Sequence, residues 1–407
     1  MKKRVIAIFS GNRAEYGLLN PILTAIKKHP NLDYKLIVSG AHLDKSFGNT
    51  INEIKNDGFL IHGKVNIKKL KNDQTFTSNS IGDVIIKLVP ILKKIKPDVF
   101  MVYADRYEGF AAIIASTQMN IPTAHVEGGD ITEGGALDDS VRHAMTKLAH
   151  IHYTTNDNAT NRILAMGEEK WRVKTVGFPA IDMISKGNFA SAKELIKIYN
   201  LDIKKPIILF TQHSITTEYE KSSKQLIVSL KALTNLAKKG FQVILTYPNN
   251  DAGGTLIKEK ILELEKKKLF NIQVFKSIGR YNYHGFLALA KSKRIQVVCA
   301  GNSSSGIKET PYFGCPTVNI GSRQKGRLRG ENVIDVSYKK NEIIKAINKC
   351  VYDKKFIKKC NLTNNPYGGG SSGKSIAVHL SNINLNKEKI LRKRMTIQGL
   401  RSNGWYK

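Results

Sequence analysis

Seven polar stretches in this chain each follow an apolar run, and their residue types suit one another chemically. They are Asn12-Arg13, Ser39-Gly40-Ala41-His42, Asp105-Arg106, Glu127-Gly128-Gly129, Gln212-His213-Ser214, Pro248-Asn249-Asn250-Asp251 and Gly301-Asn302-Ser303-Ser304-Ser305-Gly306. Carboxylates in such places can take or give a proton, or stabilise a carbon that is becoming cationic. Histidine and arginine can face phosphate oxygens or a departing anion. The small residues of 301–306, with the hydroxyls of Ser303 and Ser304, can surround a diphosphate with donors at the start of a helix. Glu309 falls one or two turns into that helix, where an acid can fork onto both hydroxyls of a ribose. The competing reading is an ordinary N-cap at Asn302 or Ser303, with Gly306 present only for close packing. Arg13 stands where a dinucleotide fingerprint would have further glycines. Its planar fork suits a second hold on the same diphosphate, reached from an opposite domain.

Such residues need strands to end on and helices to begin from. Apolar runs at 5–9, 34–38, 99–103, 123–126 and 151–155 read as strands, with helical periodicity between them, as at 16–28 and 81–95. After Val176-Gly177-Phe178-Pro179 the alternation restarts, with strands at 206–210, 242–246, 272–274, 297–300 and 317–320. Crossover units on both sides of a Gly-Pro break imply an α/β fold of two Rossmann-like, doubly wound domains facing a central cleft. Ligands then bind outside the carboxyl ends of the strands, where the seven polar stretches lie.

A chain of 407 residues accommodates two domains, and 41% hydrophobic with 24% charged residues is a globular composition. No apolar run has membrane-spanning length, and the run after Met1-Lys2-Lys3-Arg4 is too short for a signal peptide, so a cytoplasmic location is expected. The formal charge of +32 comes from lysines beside helical patterns, such as Lys27-Lys28 and Lys266-Lys267-Lys268, which read first as solvated faces. An anionic small substrate steered by that field is the sharper reading, and no nucleic-acid-binding signature accompanies it. Cys299, Cys315, Cys350 and Cys360 lack metal-ligand spacing, and His150 and His152 read as a pair flanking a strand, so no metal is expected.

In order along the chain, SGNRAEYGLL, ADRYE, HVEGGD, DDSVRHAMTKLAH, TQHSITT, PNNDAG, GNSSSGIKE and NIGSRQKGR followed by GENVI resemble the hydrolysing UDP-N-acetylglucosamine 2-epimerases, over about residues 4 to 380. The resemblance implies a GT-B-like architecture. It also implies conversion of UDP-N-acetylglucosamine and water to N-acetylmannosamine and UDP, an early step toward sialic acids. Leu137-Asp138-Asp139-Ser140 ahead of Arg142-His143 is similar to the hydrolysing branch, whereas relatives that keep UDP attached carry a Pro-Glu-Glu stretch there. Expelling UDP from C1 builds positive charge at C1 and the ring oxygen, which acidifies the C2 proton and which carboxylates stabilise.

By this similarity Asp105 and Glu127 handle the C2 proton, Asp138 helps water add, and His213 acts at the diphosphate or leaving group. Arg13, Arg106, Asn249, Ser303, Ser304, Glu309 and Arg323 are implied to bind the UDP-sugar, with no metal or redox cofactor. The competing structural readings make Asp105 and Asp138 helix caps, His213 a packed strand-end residue, and Arg323 the partner of a neighbouring acid. The alternative substrate is UDP-2,4-diacetamido-2,4,6-trideoxyglucose, feeding legionaminic-type sugars. A GT-B glycosyltransferase is a third reading, against which the three carboxylates count. The expected organisation is an N-terminal domain over 1–178, a UDP-binding domain over 179–370, a closing helix over 371–384 packed back on the first, and a disordered basic tail over 385–407. A homodimer or homotetramer is expected, without a nucleic-acid partner or a membrane span.

Overall fold

The structure, a computed structural model, describes residues 2–43, 50–67, 75–132, 137–248, 253–292 and 294–396. Its first sheet contains β1 (Arg4–Ser10), β2 (Leu32–Ser39), β3 (Ile61–Val65), β4 (Val99–Tyr103), β5 (Thr123–Val126), β6 (Ile151–Thr154) and β7 (Val173–Thr175). The order is β3-β2-β1-β4-β5-β6-β7, with every pairing parallel. Side chains of β1 alternate between two cores: Ile6 and Ile8 pack with Leu19, Ile22 and Leu36, while Ala7 and Phe9 pack with Phe100, Val102 and Leu88. Both faces are therefore covered, which is why the inner strands read as unbroken apolar runs.

The second sheet contains β8 (Ile207–Thr211), β9 (Gln242–Thr246), β10 (Ile272–Phe275), β11 (Val297–Gly301), β12 (Thr317–Ile320) and β13 (Val333–Val336). Its order is β10-β9-β8-β11-β12-β13, again parallel throughout. Winding reverses between β1 and β4 in one sheet and between β8 and β11 in the other, so the loops leaving those strands are the natural ligand sites. The sequence reading lacks β3, β7 and β13. Each is an edge strand or ends a sheet, is only partly buried, and so carries no continuous apolar run to announce it.

The chain divides into two units, one running to Ile131 and adding Leu137–Asp182 and the described residues from Gly370, the other spanning Met183–Gly369. Within the first unit, Asp182 accepts backbone N–H bonds from Ser372 (2.9 Å) and Gly373 (2.7 Å), seating the helix Ser372–Asn382 against the helix Arg13–Lys28. Glycine is required at 373, because a Cβ there would lie 2.5 Å from the Pro21 carbonyl oxygen.

The disordered tail expected from 385 is corrected as far as Thr396. A one-turn helix, Lys387–Ile390, buries Ile390 in the first unit's core, and Arg172 binds the carbonyls of Lys389, Ile390 and Arg392. Local basic charge favoured disorder, but an acceptor-rich groove far away in sequence supplies the compensating contacts. Residues 397–407 lie outside the described residues. Among those described, no helix is long and apolar enough to cross a membrane.

Candidate active site

In the first unit, two adjacent strands end in backbone that their residues rarely adopt. Ala104 follows β4 with φ +55° and Glu127 follows β5 with φ +65°. Their N–H groups still continue the sheet, to Val126 O (2.9 Å) and Tyr153 O (2.8 Å), and then the chain turns sharply. Left-handed backbone costs a residue with a Cβ on the order of 1 kcal/mol or more and persists where the surroundings over-determine it. Here the surroundings are ionic. The Asp105 carboxylate forms an ion pair with Arg142, which is nearly fully buried on the helix Leu137–Leu148 and has Asp139 Oδ1 4.0 Å away. Glu127 and Asp130 are buried close by. Burial, reinforced by the negative charges of Glu127 and Asp130, pushes the Tyr103 hydroxyl well above its ordinary range, so it stays protonated beside Glu127. Asp138 is exposed on the first turn of the same helix, while its neighbour Asp139 is buried.

The turn after β5 is shaped by its glycines. Gly129 has φ +74°, and a Cβ on it would lie 2.4 Å from the Ala159 carbonyl oxygen. Arg162 binds the Gly129 carbonyl from the neighbouring helix. Glu127 is thereby held between a strand end and a close backbone contact.

At the end of β1, Asn12 caps the helix Arg13–Lys28 by accepting the Glu15 N–H (3.0 Å), and Glu15 Oε2 returns to accept Gly11 N–H (2.7 Å). Burial and the negative charge of Glu108 raise the Glu15 carboxyl to about 7, against the opposing pull of Arg106. Arg106 spans Glu108 through Nε (3.1 Å) and Nη2 (3.2 Å) and remains nearly half exposed. The side chain of Arg13 and all of Asn249 lie outside the described residues.

In the second unit, β8 and β11 exit together and are tied by one side chain. Gly301 has φ +123°, and a Cβ would lie 1.8 Å from Thr211 O, so no other residue fits the crossing. The buried Asn302 amide accepts from His213 N (2.6 Å) and donates to His213 O (2.9 Å), fixing the backbone that carries the His213 imidazole. Asn302 O in turn accepts from Gln324 Nε2 (2.9 Å) and Arg323 Nη1 (3.3 Å). Ser303 Oγ lies 2.9 Å from Ser305 Oγ, which lies 2.6 Å from the Tyr283 hydroxyl. Ser304 precedes the next helix and makes no side-chain cap bond.

One expectation is corrected here. Glu309 is not carried inside a helix: Ser305–Lys308 is a single turn, Thr310–Phe313 is another, and Glu309 sits at the break with φ −107°. Pro311 lacks the N–H that a continuous helix would need, so the dipole of this short segment is small. Glu309 Oε2 meets His284 Nε2 at 3.0 Å.

The structure thus places Asp105 and Glu127 at neighbouring strand ends of the first unit, with Asp138 on the helix that supplies Arg142. It places His213, Ser303, Ser304, Glu309 and Arg323 around the β8 and β11 exits of the second. Sequence reasoning gave Arg142 no role beyond its motif and overlooked Tyr103 and the clamping use of Asn302. The signal for Arg142 was available, since Asp138, Asp139, Arg142 and His143 stand at i, i+3 and i+4 spacings on one helix. His150 and His152 are committed to the fold, His150 Nδ1 to Thr123 N (3.1 Å) and His152 Nε2 to Glu168 Oε2 (3.1 Å). Among the described residues, no group of three or more His, Cys, Asp or Glu side chains is arranged to hold a metal ion.

Two doubly wound units, each built on a parallel sheet with helices between its strands, make a GT-B-like α/β fold of two Rossmann-like domains. The UDP-N-acetylglucosamine 2-epimerase family matches residues 24–381. A Campylobacter jejuni protein named GDP/UDP-N,N'-diacetylbacillosamine 2-epimerase (hydrolyzing) is 35% identical over 335 residues, 82% of this chain and 85% of that one. A Legionella pneumophila UDP-N,N'-diacetylbacillosamine 2-epimerase (hydrolyzing) is 33% identical over 95% of this chain and 97% of its own. A Neisseria meningitidis UDP-N-acetylglucosamine 2-epimerase is 32% identical over 85% and 86%. Among solved structures, UDP-GlcNAc 2-epimerase from Neisseria meningitidis bound to UDP-GlcNAc superposes with a TM-score of 0.77 at 19% identity, covering 93% of this chain and 99% of that one. The chain belongs to the UDP-N-acetylglucosamine 2-epimerase family, in its hydrolysing branch, and is an enzyme acting at C2 of a UDP-sugar.

Proposed function

We propose that the substrate is UDP-N-acetylglucosamine and that the products are N-acetylmannosamine and UDP, for sialic-type acid synthesis in the cytoplasm. The observation that carries the chemistry is the pair of strained turns that hold Asp105 and Glu127 beside Arg142 and Tyr103. A carboxylate takes the C2 proton as the C1–O bond to UDP breaks, leaving a C1–C2 double bond. Water then adds its oxygen to C1, and C2 receives a proton on the opposite face, which inverts that carbon. Asp105 and Glu127 handle the C2 proton in this scheme, and the ion pair with Arg142 orients the Asp105 carboxylate. Asp138, exposed at the helix start, assists the water. His213, Ser303, Ser304 and Arg323, with Arg13, Arg106 and Asn249, bind the diphosphate and uridine, and Glu309 takes the ribose hydroxyls. Loss of the Arg13 fork, as in Arg13→Ala, should weaken UDP by about 1.5–3 kcal/mol, the scale of a charged hydrogen bond.

A second substrate is favoured by the names of the Campylobacter and Legionella relatives: UDP-N,N'-diacetylbacillosamine, which is the same 2,4-diacetamido-trideoxy sugar. Incubation of each UDP-sugar in deuterated water, followed by NMR of the products, separates the two. The preferred substrate should release UDP and a manno-configured sugar with deuterium at C2. Hydrogen retained at C2 would remove the proton-exchange scheme, and turnover of the diacetamido sugar alone would replace the substrate. A homodimer or homotetramer is the proposed assembly, measurable by light scattering.

A further inference from the structure

The segment 391–396 crosses the C-terminal end of the helix Leu137–Leu148 and is held there by buried charge. The Lys393 ammonium donates to the carbonyls of Lys147 (2.7 Å) and Ala149 (2.6 Å), reaches that of Thr146 at 3.4 Å, and pairs with Glu168 Oε2 at 2.8 Å. The last carbonyls of a helix have no partner within it. Here a cation satisfies them and meets the negative end of the helix dipole. Arg172 secures the strap from below through the carbonyls of Lys389, Ile390 and Arg392, and Thr396 N donates to Gly167 O (2.8 Å). Glu168, the acid of this cluster, also binds Lys147 (2.6 Å) and His152, so the ammonium has fixed partners on every side.

The same helix end leads by direct contacts to the turn before Asp105. Thr146 Oγ1 lies 3.2 Å from His125 Nδ1, and His125 Nε2 lies 2.6 Å from Ala104 O. Burial drives His125 down to about 3, so the ring is neutral. The Ala104 carbonyl can only accept, which puts the ring proton on Nε2 and leaves Nδ1 to accept from the Thr146 hydroxyl. A Cβ on Gly128 would lie 2.8 Å from Nδ1 and 2.9 Å from Thr146 Oγ1, so glycine keeps this contact open. Ala104 is the left-handed residue next to Asp105, and Asp105 closes back on Arg142 of the helix where the chain of contacts began.

We propose that Lys393 is a positioning residue: from the C-terminal strap it fixes the end of the Leu137–Leu148 helix and, through Thr146 and His125, the Ala104-Asp105 turn against Arg142. The proposal rests on reading Asp105 as a catalytic group, and it gives the strap a share in turnover although it touches no substrate.

The test is Lys393→Met in the full chain, with UDP-N-acetylglucosamine kinetics and NMR of nitrogen-15-labelled histidine. The expected result is a kcat lowered by roughly tenfold to hundredfold, the effect of misplacing a reacting group by about an ångström, with KM little changed. The His125 Nε2–H signal should shift or lose its single tautomer, while Lys387→Ala, exposed on the one-turn helix just before the strap, leaves both readouts as in the parent. Unchanged kcat with unchanged His125 signals overturns the proposal. Should Lys393→Met not fold, Thr146→Val breaks the next link with the strap in place: lowered kcat at constant KM supports the proposal, and parental kcat overturns it. If the parent turns over no UDP-sugar, the functional reading fails by itself, and the His125 tautomer still decides whether Lys393 controls the turn.

Discussion

The two sheets end their inner strands differently. After β4 and β5 the first unit forces Ala104 and Glu127, both with side chains, into left-handed backbone and surrounds them with Arg142, Asp105, Asp139 and Asp130. After β11 the second unit uses Gly301, which adopts its φ of +123° without a Cβ to clash, and ties the turn with the neutral amide of Asn302. A strained, charged turn is worth retaining where groups must point one way and keep a particular protonation state. A glycine turn with an amide tie leaves backbone donors and hydroxyls for a ligand and carries no charge of its own. Under the proposed function the first unit breaks bonds and also holds UDP through Arg13 and Arg106, while the second unit holds, and each part of that division can be attacked.

The largest effect should come from neutralising the charged turns. Asp105→Asn and Glu127→Gln should each lower kcat by about 10²–10⁴, the usual scale of general acid–base loss, while UDP affinity by calorimetry changes little. A variant that loses UDP binding and keeps kcat at saturation would reverse the division. The next effect is on stability. Asn302→Ala removes the tie between β8 and β11 and leaves the His213 backbone groups buried, which should cost about 2–4 kcal/mol in denaturant unfolding of the second unit. Asp105→Asn should not shift that transition. A smaller effect is expected at the hydroxyl network: Ser303→Ala should weaken UDP by about 0.5–1.5 kcal/mol with kcat at saturation retained.

The last effect is a change of slope with pH. The folded Glu15 carboxyl is raised from 4.5 to about 7, so folding holds that proton more tightly than the unfolded chain does. Its contribution is full below the unfolded value and fades as pH rises through the folded one. Glu15→Gln removes the fading term, so its melting temperature relative to the parent should climb between about pH 5 and about pH 8. A difference that stays flat or falls over that window would show that Arg106 keeps Glu15 ionised throughout.

Much of the architecture was legible because parallel strands buried on both faces spell unbroken apolar runs, as β1, β4, β8 and β11 do. The edge strands β3, β7 and β13 were not, since partial exposure dilutes the pattern. Asp105, Glu127, His213 and the 301–306 stretch stood out because polar residues directly after buried strands have few structural duties. Arg142 was read only as part of a motif, because its partner Asp105 is 37 residues away in the chain. The strap was misjudged for a similar reason: Lys393 looks like solvated charge until Glu168 and the end of the Leu137–Leu148 helix are brought to it.

The sequence by itself determined the strand–helix alternation, the doubly wound class and the residue types at each strand exit, because periodicity and turn chemistry act over a few residues. Tertiary structure alone decided which carboxylate meets which cation, that Asn302 serves the backbone of His213, and that Glu309 stands at a helix break. It also decided that the last described residues clasp the first unit. Those outcomes depend on close approaches between residues distant in the chain, where a single Cβ, proton or buried charge changes the balance, and no local pattern records such meetings.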